Sequence, residues 1–407
     1  QIPSRHGLHD YLGEPNESPD HRGIAGQPTL GLYLKQAGYR TGMVGKWHAG
    51  DYWTPMPGFD TWFTSLQGTN ARFQEQEFVD GTDRIKAFGH QEVFYTERAI
   101  QFLREPRGER EPFFLYVGYT NTHSPHTSEP APLRHHYRNC AFQDIPREEH
   151  VPAHGHARVA IFDPDEPARR AHLADYYAAV ENIDQQMLHI ITELENRGEL
   201  ENTLIVYTSD HGHMNGHHGL HTKANATLPA NFLEESIKVP MLLRGPGVPP
   251  GIAPGLRADH GDLFRNQIAA AGADLPPILN ARHSAGESFL PSLHNEAHPR
   301  RDLQFCESGP NRMVRGPTEK LILRHPHPSG LAVHDEFYDL ARDPRENHNL
   351  IHHPDHAKRI HVLKEALNDF FTQYADPAHD GTSAGLNRSH NSADLWTLLP
   401  GQTDQRQ

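Results

Sequence analysis

The chain has 407 residues, room for one large α/β domain plus a small satellite, and its 36% apolar content is that of a folded protein. A net charge of −14 excludes a nucleic-acid binder, because neutralising phosphates takes a basic surface. No stretch reaches the roughly 20 apolar residues of a membrane helix, so no membrane span is expected.

The 33 histidines are the unusual feature. Most are expected at the surface, where imidazoles titrate between about pH 5 and 8 and swing the charge on mild acidification. Cys140 and Cys306 are too few for a disulfide scaffold and lack zinc-ribbon spacing, which leaves at most one disulfide.

In chain order, Pro28–Gly38 reads as a helix, with Pro28 at its first position, Leu30, Leu34 and Ala37 on one face, and Gly38 as the stop. Thr41–Val44 is a short buried strand running into Gly45-Lys46-Trp47-His48. A helix over Val93–Arg104 precedes the strand Pro112–Tyr119 and the polar turn Thr120–His126. The stretch from 126 to 171 is rich in Pro, His and Arg without periodicity, as in long functional covers. His172–Arg197 keeps the 3.6-residue period through Leu173, Tyr176, Val180, Ile183, Met187 and Leu194. The strand Thr203–Thr208 ends in Ser209-Asp210-His211-Gly212, Val239–Gly245 is another strand, and Asp259–Ala271 is a helix.

Helices alternating with short apolar strands predict an α/β fold, a mostly parallel central sheet with helices on both faces. After about residue 300 the style changes to short strand-like pieces, DLQFCE, RMVRG and EKLILR, closed by a helix around His361–Tyr374. The expected organisation is an α/β domain over 1–300, a small antiparallel subdomain over 301–375 and a polar, mobile tail over 376–407.

Three strands end in chemistry: Lys46 with His48, then His123, then Asp210 with His211. Ligands of open parallel sheets bind beyond the carboxyl ends of the strands, so these residues are expected at one site. In Ser209–Lys223 the Asp210–His211 pair suits a divalent metal, and Lys223 returns a positive charge. A zinc site from His211, His213, His217, His218 and His221 is a competing account of the same loop. A plain histidine-rich surface loop is the bland one.

The segments GYRTGMVGKWHAG (Gly38–Gly50), PFFLYVGYTNTHSPH, TLIVYTSDHG with HGLHTK, EESIKVPMLLRGPG (Glu234–Gly247) and FYDLARDPRENHNL (Phe337–Leu350) stand in the order of the type I sulfatase blocks. The chain thus resembles the type I sulfatases of the alkaline phosphatase superfamily, from residue 1 to about 350. The family's first signature begins with a Cys, oxidised to the formylglycine nucleophile, and continues to Pro, Ser and Arg. Here Pro3, Ser4 and Arg5 match, while Gln1 stands at the nucleophile position. The family's upstream strand, ending in an Asp pair that binds calcium, is not in the sequence. Two readings follow: a fragment that has lost its Cys, or a protein without its nucleophile. Either way the chain as given is expected to be inactive on aryl sulfates.

The resemblance implies a sulfuric ester hydrolase acting on a sulfated small molecule or glycan, with one Ca2+ or another divalent metal. It assigns Asp210 and His211 to that metal. Arg5, Lys46 and Lys223 would cradle the nucleophile and sulfuryl oxygens, His123 would protonate the leaving oxygen, and His48 would handle the hydrate's hydroxyl. A phosphodiesterase or phosphonate hydrolase, and a non-catalytic binder of sulfated glycans, remain open alternatives. Sequons at Asn16, Asn225 and Asn387 point to a secreted or periplasmic protein. The organic part of the substrate and the oligomeric state are not legible.

Overall fold

The computed structural model describes residues 2–9, 24, 26–65, 73–108, 111–148, 156–157, 166–251, 255–274, 284–294, 301–326 and 332–382. Its first elements are helices α1 (Pro3–His6) and α2 (Leu30–Gln36), followed by strands β1 (Arg40–Gly45), β2 (Thr61–Ser65), β3 (Phe73–Asp80) and β4 (Asp83–His90). Helix α3 (Gln91–Arg104), strand β5 (Phe113–Gly118) and helices α4 (Ala131–Arg138) and α5 (Glu166–Asn196) come next. Helix α2 starts two residues after Pro28, because the Thr29 hydroxyl caps it by accepting from the Leu32 N–H at 3.2 Å.

The central sheet has the order β4-β3-β2-β1-β5. Strands β2, β1 and β5 run parallel, and β3 with β4 add an antiparallel hairpin at one edge. Successive side chains of a strand face opposite ways, so both layers are visible in β1. Met43 packs with Tyr52, Trp62 and Val79, and Val44 with Phe63, Phe78, Tyr95 and Ala99. Burial on both faces explains why β1 reads as an unbroken apolar run. On α3, Phe102 and Leu103 meet Leu194 of α5. Each such side chain contributes about 1.5–3 kcal/mol by leaving water.

The strand Ile205–Thr208 pairs antiparallel with Met241–Arg244. It and β5 both line one cavity of about 2600 Å³, with Tyr176, Ile183 and Met187 of α5 and Leu263 of the helix His260–Ala270 also in its wall. Tyr116 of β5 is 49% exposed there, unusual for a strand inside a layered α/β fold. The fold is α/β, with a mostly parallel central sheet and a separate antiparallel sheet.

That second sheet joins Gln304–Ser308, Asn311–Arg315, Glu319–Leu323 and Glu336–Asp339 in sequence order. The helix Ala357–Tyr374 lays Ile360, Leu363, Leu367 and Phe371 on Val314, Leu321 and Phe337. Fully buried Lys320 fastens this unit to the larger one, donating to the Phe232 carbonyl at 2.8 Å and pairing with Glu234 at 2.8 Å, while Glu346 of its own unit accepts at 2.6 Å.

Several expectations need correction. The stretch read as an aperiodic cover contains α4, and Arg134 on it holds Asp175 of α5 at 2.6 Å. Helix α5 begins at Glu166, not at His172. The tail is not free from residue 376: the Asp376 N–H donates to the Ser4 carbonyl at 2.8 Å, and Arg312 pairs with Asp380 at 2.6 Å. Polar pairing, to which hydropathy is blind, docks residues 376–382; the remainder of the expected tail lies outside the described residues. Both cysteines are free. Asn225 is exposed, while Asn16 and Asn387 lie outside the described residues. No helix among the described residues is long and apolar enough to cross a membrane.

Candidate active site

The parallel register pairs Gly45 with Gly118, so β1 and β5 end level and release their loops on the same side. Gly45 has φ 116°, and a Cβ there would meet the Gly118 oxygen at 2.2 Å. Only glycine allows that approach, which lets the Lys46 N–H donate to the Gly118 carbonyl at 2.7 Å. Gly212 plays the same part in the loop after Thr208: its N–H donates to Ser236 O at 2.9 Å, and a Cβ would sit 1.9 Å from Glu235 O. Lys223 follows Thr222, a β-branched residue held at φ 77°. Such backbone strain persists only where the surroundings enforce it.

Lys46, His48, His123, Asp210, His211 and Lys223 all line the cavity between β5 and Ile205–Thr208. Arg5 lies on α1 and is not part of that wall. Its neighbours Ile2 and Pro3 line a second cavity of about 1870 Å³, which Asp210 and His211 also reach. Gln1 lies outside the described residues.

The charges in the first cavity act on one another. Burial, then the ammonium groups of Lys223 and Lys46, pull His123 down to about 4, against a hydrogen bond to Ser124 O that favours its protonation. That bond, from Nδ1 at 2.8 Å, leaves Nε2 as the nitrogen that takes up or gives a proton. Burial pushes the Asp210 carboxyl up, but His211, Lys223 and Lys46 outweigh it and hold it below the usual range. Burial likewise lowers Lys223, opposed by Asp210. Around His123 the cavity is thus cationic, with Asp210 as the carboxylate that answers its lysines.

Asp210 and His211 could hold a metal. His211 Nδ1–H donates to Gly212 O at 2.8 Å, which leaves Nε2 with its lone pair, 3.6 Å from Asp210 Oδ2. Hard divalent ions take six to eight oxygens, so this pair fits part of a coordination shell. Among the described residues no third imidazole, thiolate or carboxylate closes on it. The five histidines of the competing zinc account do not converge either. His218 Nε2 lies 3.2 Å from Glu235 Oε2, whereas His213 stacks on Tyr176 with ring centroids 5.1 Å apart.

Sequence reasoning missed the acids behind His123. Glu92, fully buried at the start of α3, accepts from the N–H groups of Thr120 and Asn121 at 3.1 and 2.9 Å. Burial raises it to about 7. Buried Glu129 accepts from Asn121 Nδ2 at 2.8 Å and from Asn182 Nδ2 at 2.7 Å, tying the same turn to α5. A lone Glu at a helix start looks like an ordinary N-terminal charge, so nothing in the pattern marks it.

A sequence profile described as "Sulfatase" matches residues 5–273. The chain is 27% identical to the uncharacterized sulfatase YidJ of Escherichia coli K12, over 99% of this chain and 81% of that protein. It is 26% identical to the N-acetylglucosamine-6-O-sulfatase of Bacteroides thetaiotaomicron, over 86% of this chain and 73% of the relative. A structure solved in complex with its substrate, D-glucosamine-2-N,6-O-disulfate, superposes with a TM-score of 0.71 at 22% identity, covering 91% of this chain and 88% of that one.

Proposed function

The chain belongs to the sulfatase family, whose members generally use a divalent metal, and from that premise we propose that its cavity takes the sulfate ester of a sugar. What carries this reading is the joint action of Lys46 and Lys223 on His123 inside one cavity. Two ammonium groups suit the sulfuryl oxygens, and preorganised charge of this kind is commonly the largest element of ester-cleaving catalysis. His123 Nε2 is the group to protonate the departing sugar oxygen. A bound sulfate ester is an anion, so its arrival offsets the repulsion that keeps the imidazole neutral. His48 would serve the hydroxyl of a restored nucleophile, while Arg5, on α1, lies outside the wall of this cavity.

Asp210 and His211 would hold part of the shell of a divalent metal, Ca2+ by the oxygen character of such sites; when bound it supplies Lewis-acid polarisation. At the motif's first position Gln1 offers an amide, which is no nucleophile towards sulfur. The sugar preference follows from the amino-sugar substrates named for the relative and for the superposed structure.

Calorimetry on the purified chain tests the reading. A 6-O-sulfated glucosamine is expected to bind measurably tighter than the 6-phosphate, and the unsulfated sugar not at all. Preference for the phosphate would favour the phosphoryl-transfer alternative, and equal binding of the bare sugar would remove the sulfate from recognition.

A further inference from the structure

We infer that His126, His172 and His213 form a second metal site, one for zinc or a similar borderline divalent ion. The three come from different elements: the turn after β5, helix α5, and the loop after Thr208. One ring nitrogen from each lies within 4.8 Å of the other two. His126 is 3% exposed, and neither of its ring nitrogens has a hydrogen-bond partner; buried His213 Nε2 has none either. Buried polar atoms are nearly always paired, so unpartnered nitrogens on two rings of this cluster call for a partner.

The rings are held in place for it. Tyr176 stacks on His213 at 5.1 Å and meets His126 edge-on at 5.4 Å. Outer groups of this sort orient the imidazoles of metal sites. His221, with its ring 4.1 Å from that of His172 and 5.3 Å from that of His213, stands beside the trio as a fourth donor.

The donor set selects the metal. Calcium and magnesium want oxygen ligands, and this cluster offers only imidazole nitrogen, which suits zinc and its neighbours. Around a tetrahedral zinc with bonds of 2.0–2.1 Å, ligating nitrogens sit roughly 3.3 Å apart, so small ring rotations close the site. The ion would pin the turn bearing His123 to α5 and to the loop bearing Asp210. It would be distinct from the metal of the Asp210–His211 pair and would take no part in substrate contact.

The test is zinc titration of the chelator-stripped chain against a chromophoric chelator, with millimolar Ca2+ present throughout. One zinc per chain is expected to bind tightly, and Co2+ in its place should give the intense visible bands of tetrahedral coordination. His126→Ala and His213→Ala should each weaken that zinc at least about 100-fold, since even an outer-shell loss costs 10–100-fold. A His135→Ala/His136→Ala variant, altering exposed imidazoles of α4, should leave it unchanged. His126→Gln guards against misfolding, because circular dichroism of the metal-free variant must match the parent. The proposal is overturned if the parent holds no tight zinc, or if its zinc survives both His126→Ala and His213→Ala.

Discussion

The ammonium of Lys223 bears on the imidazole of His123: after burial it is the largest cause of that ring's pKa falling to about 4. In the unliganded protein the general-acid candidate is therefore neutral at pH 7, and a cation beside it keeps it so. Removing that cation should raise the His123 pKa. An NMR titration of the ring carbon in Lys223→Ala checks this, and an unmoved midpoint would mean that the two side chains do not sense each other.

The two residues should also part company in catalysis. With a relative's N-terminal segment, from the strand with its Asp pair through the signature Cys, grafted ahead of Ile2, His123→Ala is expected to cost roughly 10²–10⁴-fold on a sugar sulfate. The loss should be much smaller on an activated aryl sulfate, whose leaving group departs without a proton. Lys223→Ala should harm both substrates alike. Equal penalties for His123→Ala on the two substrates would remove it from the general-acid role.

Without that graft, the chain should release no sulfate from an aryl sulfate above the level of a Lys46→Ala control. Ion chromatography reads this directly, and turnover by the chain as it stands would require a nucleophile other than the one at the motif's first position.

Glu92→Ala would leave the Thr120 and Asn121 N–H groups unpaired behind His123. A buried donor without a partner costs about 1–3 kcal/mol, so the variant should unfold at lower denaturant and lose activity in the grafted enzyme. Glu92→Gln keeps one acceptor oxygen and should recover most of the stability. Equal stability of all three proteins would show that the network carries no weight.

Acid should destabilise the metal-free protein well before its carboxylates titrate. Burial holds His6 at about 4, His126 at about 3 and His221 at about 4, all below the 6.5 of an unfolded chain. The unfolded state takes these protons first, so the stability is fully present above pH 6.5 and drains away as the pH falls toward 4. By pH 5 each group contributes a loss of roughly 1–2 kcal/mol. Urea midpoints at pH 7.5 and pH 5 measure it, and a flat profile would contradict the burial of these rings.

How much of this was written in the sequence depends on the kind of force involved. The strand–loop junctions at Gly45, Gly118 and Thr208 were legible because a short apolar run followed by charged residues is a local pattern. The hairpin of β3 and β4 was not, since its paired residues, such as Lys86 and Glu77 at 2.7 Å, are polar and exposed. The histidine loop drew attention to His213, yet its partners His126 and His172 are set by tertiary packing from 87 and 41 residues upstream. Arg5 was read into the same pocket as the lysines, whereas its helix docks against the second sheet through Ser4 and Glu307. Long-range polar contacts of that sort leave no periodicity to read.

The most direct test is a crystal structure of the chain with a 6-sulfated glucosamine. The account predicts sulfuryl oxygens about 3 Å from the Nζ atoms of Lys46 and Lys223, with the ester oxygen turned toward His123 Nε2. A sulfate seated instead in the second cavity, beside Ile2 and Arg315, or an ester oxygen facing away from His123, would contradict it.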